Sequence, residues 1–109
     1  MEMRRGDLVT IALSGDYGKP RPALVVQDDA FDELTSVTVL RVTSELHDWP
    51  LFRITVEANA DTRLQKRSQV MVDKAATVPR SRIGQRIGCL DTKTLQALNT
   101  ALAKFLGID

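Results

Sequence analysis

The strongest constraint on this chain is the brevity of its β-type runs and the turn residues that separate them. Phe52, Ile54 and Val56 alternate with Arg53, Thr55 and Glu57, the pattern of a half-buried antiparallel strand over Leu51 to Glu57. Further strands are predicted at Leu8–Leu13, Ala23–Val26, Ser36–Thr43, Ser68–Val72 and Arg86–Cys89. The Ser36–Thr43 run carries apolar residues on both faces, which places it centrally. Pro79 to Ile83 reads as one helical turn. Asp91 or Thr92 then caps a helix whose stripe is Leu95, Leu98, Leu102 and Phe105, closed by Gly107. Short antiparallel strands followed by one amphipathic helix predict a mainly β fold with a C-terminal α-helix, a small barrel or curled sheet with the helix packed on it. That stripe either finishes the core or helps to build a dimer.

At 109 residues the chain is expected to form a single domain, residues 1–109, with a small core. No apolar run reaches the length of a membrane span, and MEMRRGD has no apolar stretch of the secretory kind. The lone Cys89 fits a reducing cytoplasm, as a small buried apolar residue. One cysteine and one histidine do not build a zinc site, so no metal and no cofactor are expected. Net charge is only +1, so the distribution of charge matters more than its sum. Arg63, Lys66, Arg67, Lys74, Arg80, Arg82 and Arg86 stand against the single acid Asp73, whereas Asp28, Asp29, Asp32 and Glu33 have no base among them. These are either two solvated patches or one face for phosphates and another for a different partner.

The segment GKPRPALVV sets Arg21 between two prolines. Each proline fixes its own φ, and Pro22 holds the arginine extended. With Lys19 beside it, Arg21 is either a surface cation at a strand edge or a planar fork for phosphate oxygens. Thr43 and Ser44 end the third strand; their hydroxyls either satisfy loose backbone groups or serve a developing oxyanion. Pairing of the second and third strands would bring Arg21 and Thr43 to one groove. His47 is the only histidine, an exposed loop residue or one half of an acid–base pair. Tyr17 and Trp49 are loop aromatics able to stack on bases, and Trp49 could instead plug a barrel mouth or lie in a dimer contact. Asp73 either pairs locally with Lys74 or Arg67, or orients Arg21 or a ribose hydroxyl. No phosphate loop, nucleophile elbow, paired-acid motif or metal cluster is present. An arginine with a hydroxyl can stabilise phosphoryl charge and support transesterification in which the RNA 2′-hydroxyl is the nucleophile.

RRGD before a strand, GKPRPALVVQDD, TSVTVLRVTS and SRIGQRIGCLD before a helix ending FLGID, in that order along nearly the whole chain, resemble the MazF/PemK (Kid-like) toxins of type II toxin–antitoxin systems. The resemblance implies an SH3-like small barrel of the CcdB/MazF/Kid type, forming a homodimer. It implies a sequence-specific, metal-independent endoribonuclease that leaves 2′,3′-cyclic phosphate and 5′-hydroxyl ends on single-stranded RNA. A cognate antitoxin with an acidic C-terminal tail would inhibit it. The family's arginine and threonine correspond to Arg21 and Thr43 as catalytic residues, with Lys19, Ser44 and Asp73 carried over as contacts to substrate; Tyr17 and His47 are expected as further RNA contacts from their own residue types on loops. Three departures stand out: the loop Ser14–Pro20 is short for the family, Asp73-Lys74-Ala75-Ala76-Thr77 lacks the arginine many members carry before the threonine, and Gln69–Val72 supplies no fifth-strand arginine. The C-terminal tryptophan of CcdB-like gyrase poisons is missing from FLGID. A barrel that binds without cutting is the other alternative.

Overall fold

A computed structural model describes residues 3–12 and 19–109. Six strands, β1 (Asp7–Ile11), β2 (Arg21–Val25), β3 (Ser36–Thr43), β4 (Arg53–Val56), β5 (Ser68–Pro79) and β6 (Ile83–Cys89), form one antiparallel sheet in the order β4-β5-β3-β2-β1-β6. The helix α1 (Thr92–Leu106) follows. The mainly β fold with a C-terminal helix expected from the sequence is the one observed. β3 lies inside the sheet, and its residues spread into both cores because the alternation of a strand sends successive side chains to opposite faces. Leu40 and Val42 join Leu8, Leu24, Val56, Val70, Val72, Leu90 and Leu98 on one side. Val37 and Val39 join Val9, Ile11, Ala23, Val25 and Val78 on the other.

α1 covers the first of these cores with Leu95, Leu98 and Leu102. Phe105 continues the same stripe but remains 52% exposed, so the helix completes the core with its first turns and presents its last turn outward. Asp91 is the N-cap, its carboxylate accepting from the Thr94 amide at 2.7 Å. Gly107 closes the helix at φ 74°, where its N–H reaches the last carbonyls. Pro79 precedes a 3-10 turn at Arg80–Arg82, the helical turn expected there. Leu13 and the turn after it lie outside the described residues.

β5 is longer than its sequence pattern predicts. It pairs with β4 through Ser68–Met71 and with β3 again through Ala75–Pro79. Between Leu40 and Val42 of β3 the partner position jumps from Ala75 to Val70, a bulge that bends β5 around Asp73. The predicted end at Val72 coincides with this corner. Beyond it Lys74, Ala75 and Thr77 are exposed, so periodicity gives no signal, yet the pairing continues and the Thr38 and Thr77 hydroxyls meet at 2.8 Å.

Members of both charge patches have structural partners. Arg5 donates to the Val26 carbonyl and the Asn99 side chain, and its amide donates to Asp29. Asp28 caps the short 3-10 turn Asp29–Phe31. Arg80 donates to the Leu34 and Asp32 carbonyls. Arg86 pairs with the buried Asp7 at 3.2 Å, and this bond raises the guanidinium pKa further above its ordinary value. Cys89, expected to be buried, is half-buried on β6. Gly88 is required by close approach: a Cβ there would stand 2.3 Å from the Asp61 carbonyl and 2.5 Å from that of Thr62.

Gly88→Ala is therefore expected to destabilise the fold by roughly 1–3 kcal/mol, read by denaturant unfolding. The Thr94 amide holds the Asp91 carboxyl below the usual aspartate range. A depressed folded-state pKa contributes stability above the unfolded value and loses it as pH falls through the folded one. Asp91→Ala should lower the unfolding midpoint at neutral pH, and the gap from wild type should close in acid.

Candidate functional site

The pairing of β2 with β3 runs from Val25↔Val39 through Leu24↔Leu40 to Ala23↔Arg41. Extending that register by two places sets Arg21 opposite Thr43. Pro22 has no N–H to give to a neighbouring strand, and the pairing ends beside it. The mouth left between the strand ends opens into a groove of about 630 Å³. Arg21, Arg41, Thr43 and Ser44 line one wall; Arg63, Leu64, Gln65 and Lys66 line another; Met71 and Ile87 also border it. The structure thus brings Arg21, Thr43 and Ser44 together. Lys19 is exposed just before the groove-lining Pro20. Tyr17 lies outside the described residues.

Thr43 Oγ1 accepts from the Glu45 amide at 3.1 Å. A hydroxyl that accepts one bond still has its own proton to donate, so it can offer that proton to an oxyanion in the groove. Arg21 is exposed, and no ion pair among the described residues neutralises it, Arg63 or Lys66. The groove therefore gathers cationic groups around a hydroxyl, which suits a phosphodiester.

The far wall is a built loop. Asn59 Oδ1 accepts from the amides of Asp61 and Thr62, and the buried Thr62 hydroxyl donates to the Glu57 carbonyl. Arg63 sits at φ 55°, the left-handed region, where a non-glycine residue stays only when its surroundings hold it. Its amide donates to the Asn59 carbonyl at 2.8 Å. The seven-cation run divides here: Arg63 and Lys66 face the groove, while Arg67 pairs with Glu57 and Lys74 with Asp73. Sequence reasoning singled out neither Arg41 nor these two as site residues. The Asn59–Thr62 turn chemistry was the available signal.

Asp73 does not join Arg21. The β5 bulge carries it to a second groove of about 430 Å³, lined with Leu51, Phe52, Lys104 and Phe105. It pairs with Lys74 at 3.4 Å, the local partner considered from the sequence. His47 lies on the loop after Ser44, its ring stacked on Trp49 at 3.9 Å and its Nε2 3.3 Å from Glu45. It does not line the groove beside Arg21.

Gln69, opposite Thr43 on β5, organises this loop and carried no sequence signal. It is 6% exposed. Its Oε1 accepts from the His47 amide and from Arg53 Nη1, both at 3.0 Å, while Nε2 donates to the His47 carbonyl and the Thr55 hydroxyl. All four hydrogen-bonding positions of the amide are used.

A curled antiparallel sheet with a capping helix and a cationic, hydroxyl-bearing groove defines the class: a small β-fold with a positively lined cleft between its strand ends. Residues 4–106 match the family of the PemK-like, MazF-like toxin of type II toxin–antitoxin systems, and the chain belongs to that family. It is 48% identical over 107 residues to a probable endoribonuclease MazF of Mycolicibacterium smegmatis, covering 97% of this chain and 98% of that protein. Among solved structures, the Mycobacterium tuberculosis toxin MazF-mt6 is 26% identical with a TM-score of 0.81, over 94% of this chain and 98% of that one. An endoribonuclease in complex with its cognate antitoxin, from a mycobacterial species, superposes with a TM-score of 0.82 at 24% identity, over 99% and 98% of the two chains. At that identity the likeness concerns the fold.

Gln69→Leu should strand the His47 backbone groups and the Thr55 hydroxyl. The expected cost is about 1–3 kcal/mol in unfolding experiments, with altered emission from Trp49, the single tryptophan.

Proposed function

We propose that the chain is a sequence-specific endoribonuclease toxin that cuts single-stranded RNA at the Arg21–Thr43 groove without a metal ion. One observation carries this reading: the exposed Arg21 and the Thr43 hydroxyl line one groove walled by further cations. Family membership and the 48% identical endoribonuclease relative support it. In the proposed reaction the 2′-hydroxyl of one nucleotide attacks its own 3′ phosphorus. The bond from phosphorus to the next 5′ oxygen breaks, leaving a 2′,3′-cyclic phosphate and a 5′-hydroxyl. Arg21 offsets the charge of the pentacovalent phosphorus, a task suited to a permanently charged planar donor. Thr43 donates to a non-bridging oxygen. Ser44 and Lys19 serve as weaker contacts along the strand, while Arg41, Arg63 and Lys66 bring further positive charge to the groove. Tyr17 is retained as an RNA contact because an aromatic ring can stack on a base, and Asp73 has no part in this groove.

The partner is an antitoxin with an acidic, disordered tail, since a cationic groove open to RNA is open to such a tail by direct competition. The chain also forms a homodimer through the second groove. Leu51 is 71% exposed there and borders Phe52 and Phe105, with Leu106 and Ile108 also exposed on the helix end. Asp73 and Lys104 at the same groove give the surface one charge of each sign, so that two copies can pair acid to base around a two-fold axis.

Wild-type protein should cleave single-stranded RNA in EDTA, and the products should carry cyclic phosphate ends. Arg21→Ala should lower the rate about a hundred- to thousandfold while the fold persists by circular dichroism. Undiminished cleavage by that variant would remove Arg21 from the chemistry; RNA binding without cleavage by wild type would instead favour a binding module. Leu51→Asp with Phe105→Asp should convert the dimer to a monomer in light scattering.

A further inference from the structure

We propose that the outward face of His47 is a stacking subsite for an unpaired nucleobase of the RNA strand, next to the nucleotides held at Arg21 and Thr43. The proposal rests on the endoribonuclease reading for the identity of the strand. Three rings form a column on the loop after Ser44. His47 lies flat on Trp49, with centroids 3.9 Å apart and planes 3° from parallel, and Trp49 stacks on Phe52 at 5.4 Å. The Arg53 guanidinium sits 5.0 Å from the Trp49 ring centroid. One face of the imidazole is thus covered by indole, yet its side chain remains 35% exposed. A column of flat rings that ends in a half-exposed ring is a platform on which a further π-face can continue the stack.

The column is held by hydrogen bonds that do not depend on a ligand. Gln69 holds both the amide and the carbonyl of His47, and Arg53 is tied to the Glu45 carbonyl and to Gln69. The ordering cost that a loose loop would charge against binding is therefore already met. The imidazole edge points to Glu45, with Nε2 3.3 Å from its carboxylate, which fixes the ring's orientation on Trp49. Location also counts. Three residues of extended chain reach roughly 10 Å at most, so His47 stands close to Ser44 and the groove. A cationic track with a flat ring beside it is the combination that recognises single-stranded nucleic acid. An acidic peptide would use the charges but has no need of the ring face.

The test uses an RNA oligonucleotide made uncleavable by a 2′-deoxy residue at the mapped cut site, with binding followed through Trp49 emission and, independently, by fluorescence anisotropy of a labelled strand. His47→Ala should weaken binding roughly 5- to 150-fold, the range for losing one stacked base. His47→Phe, which keeps a ring but no nitrogen, should restore most of the affinity. Replacing bases one at a time by abasic residues should reveal a single position whose loss weakens wild type but not His47→Ala. Binding by His47→Ala within twofold of wild type, or equal losses in the alanine and phenylalanine variants, would overturn the subsite. So would a loss seen only with an acidic peptide. In each of these cases cleavage by wild type, slowed about a hundred- to thousandfold in Arg21→Ala, would leave the endoribonuclease reading standing. A wild-type protein that neither binds nor cuts single-stranded RNA would sink both.

Discussion

The site depends on where a hydrogen-bond ladder stops. β2 and β3 pair through Ala23↔Arg41 and go no further, because the next residue on β2 is a proline with no amide hydrogen. A ladder that continued would leave no opening beside Arg21, and a ladder that stopped earlier would let the strand ends drift. Pro22 does both jobs: it ends the pairing with β3, and it keeps Arg21 extended at the groove that Thr43 also lines. The rest of the fold keeps this opening in place. Leu24 and Leu40, adjacent in register just below it, are fully buried in the core that α1 covers, so displacement of the strand ends would expose apolar surface at about 25 cal/mol per Å².

The charges follow a similar logic of position over number. A net charge of +1 on 109 residues does not by itself attract a polyanion. The fold instead commits the side chains of Arg5 and Arg80 to backbone carbonyls and that of Arg86 to the buried Asp7 carboxylate. It brings Arg21, Arg41, Arg63 and Lys66 to one groove. Exposed pairs such as Arg67 with Glu57 contribute about 0–1 kcal/mol to stability. Cations gathered in a cleft, by contrast, reinforce one another's field at the point where a phosphate would sit.

Much of this was legible in the sequence. β3 spans Ser36–Thr43 as its composition indicates, and the Arg21–Thr43 juxtaposition follows once antiparallel pairing of β2 and β3 is assumed. The C-terminal helix, its Asp91 cap and its Gly107 stop were readable because capping chemistry is local. What stayed hidden depends on contacts between distant segments. The bulge that bends β5 at Asp73 has no local signature, so the carboxylate's removal to the apolar groove could not be foreseen. Gln69 looks like any polar residue at a strand start. Its role exists only because β3, β4 and the His47 loop converge on it. Arg63 and Lys66 were seen as members of a charge run, but their separation from Arg67 and Lys74 is set by a loop folded around Asn59 and Thr62.

Gln69 also links the two halves of the proposed RNA site. Its backbone stands opposite Thr43, and its side chain grips the loop carrying the ring column. A shift of β5 at this point would move the hydroxyl and the stacking face together. Where a strand's bases lodge and where its phosphate is held are therefore not independent adjustments in this fold. The bland composition of Gln69–Val72, which lacks the fifth-strand arginine expected from the resemblance, is consistent with that arrangement. Here the strand supplies placement through a buried amide, and the positive charge at the groove comes from the arginines of β2 and β3 and from the loop around Arg63.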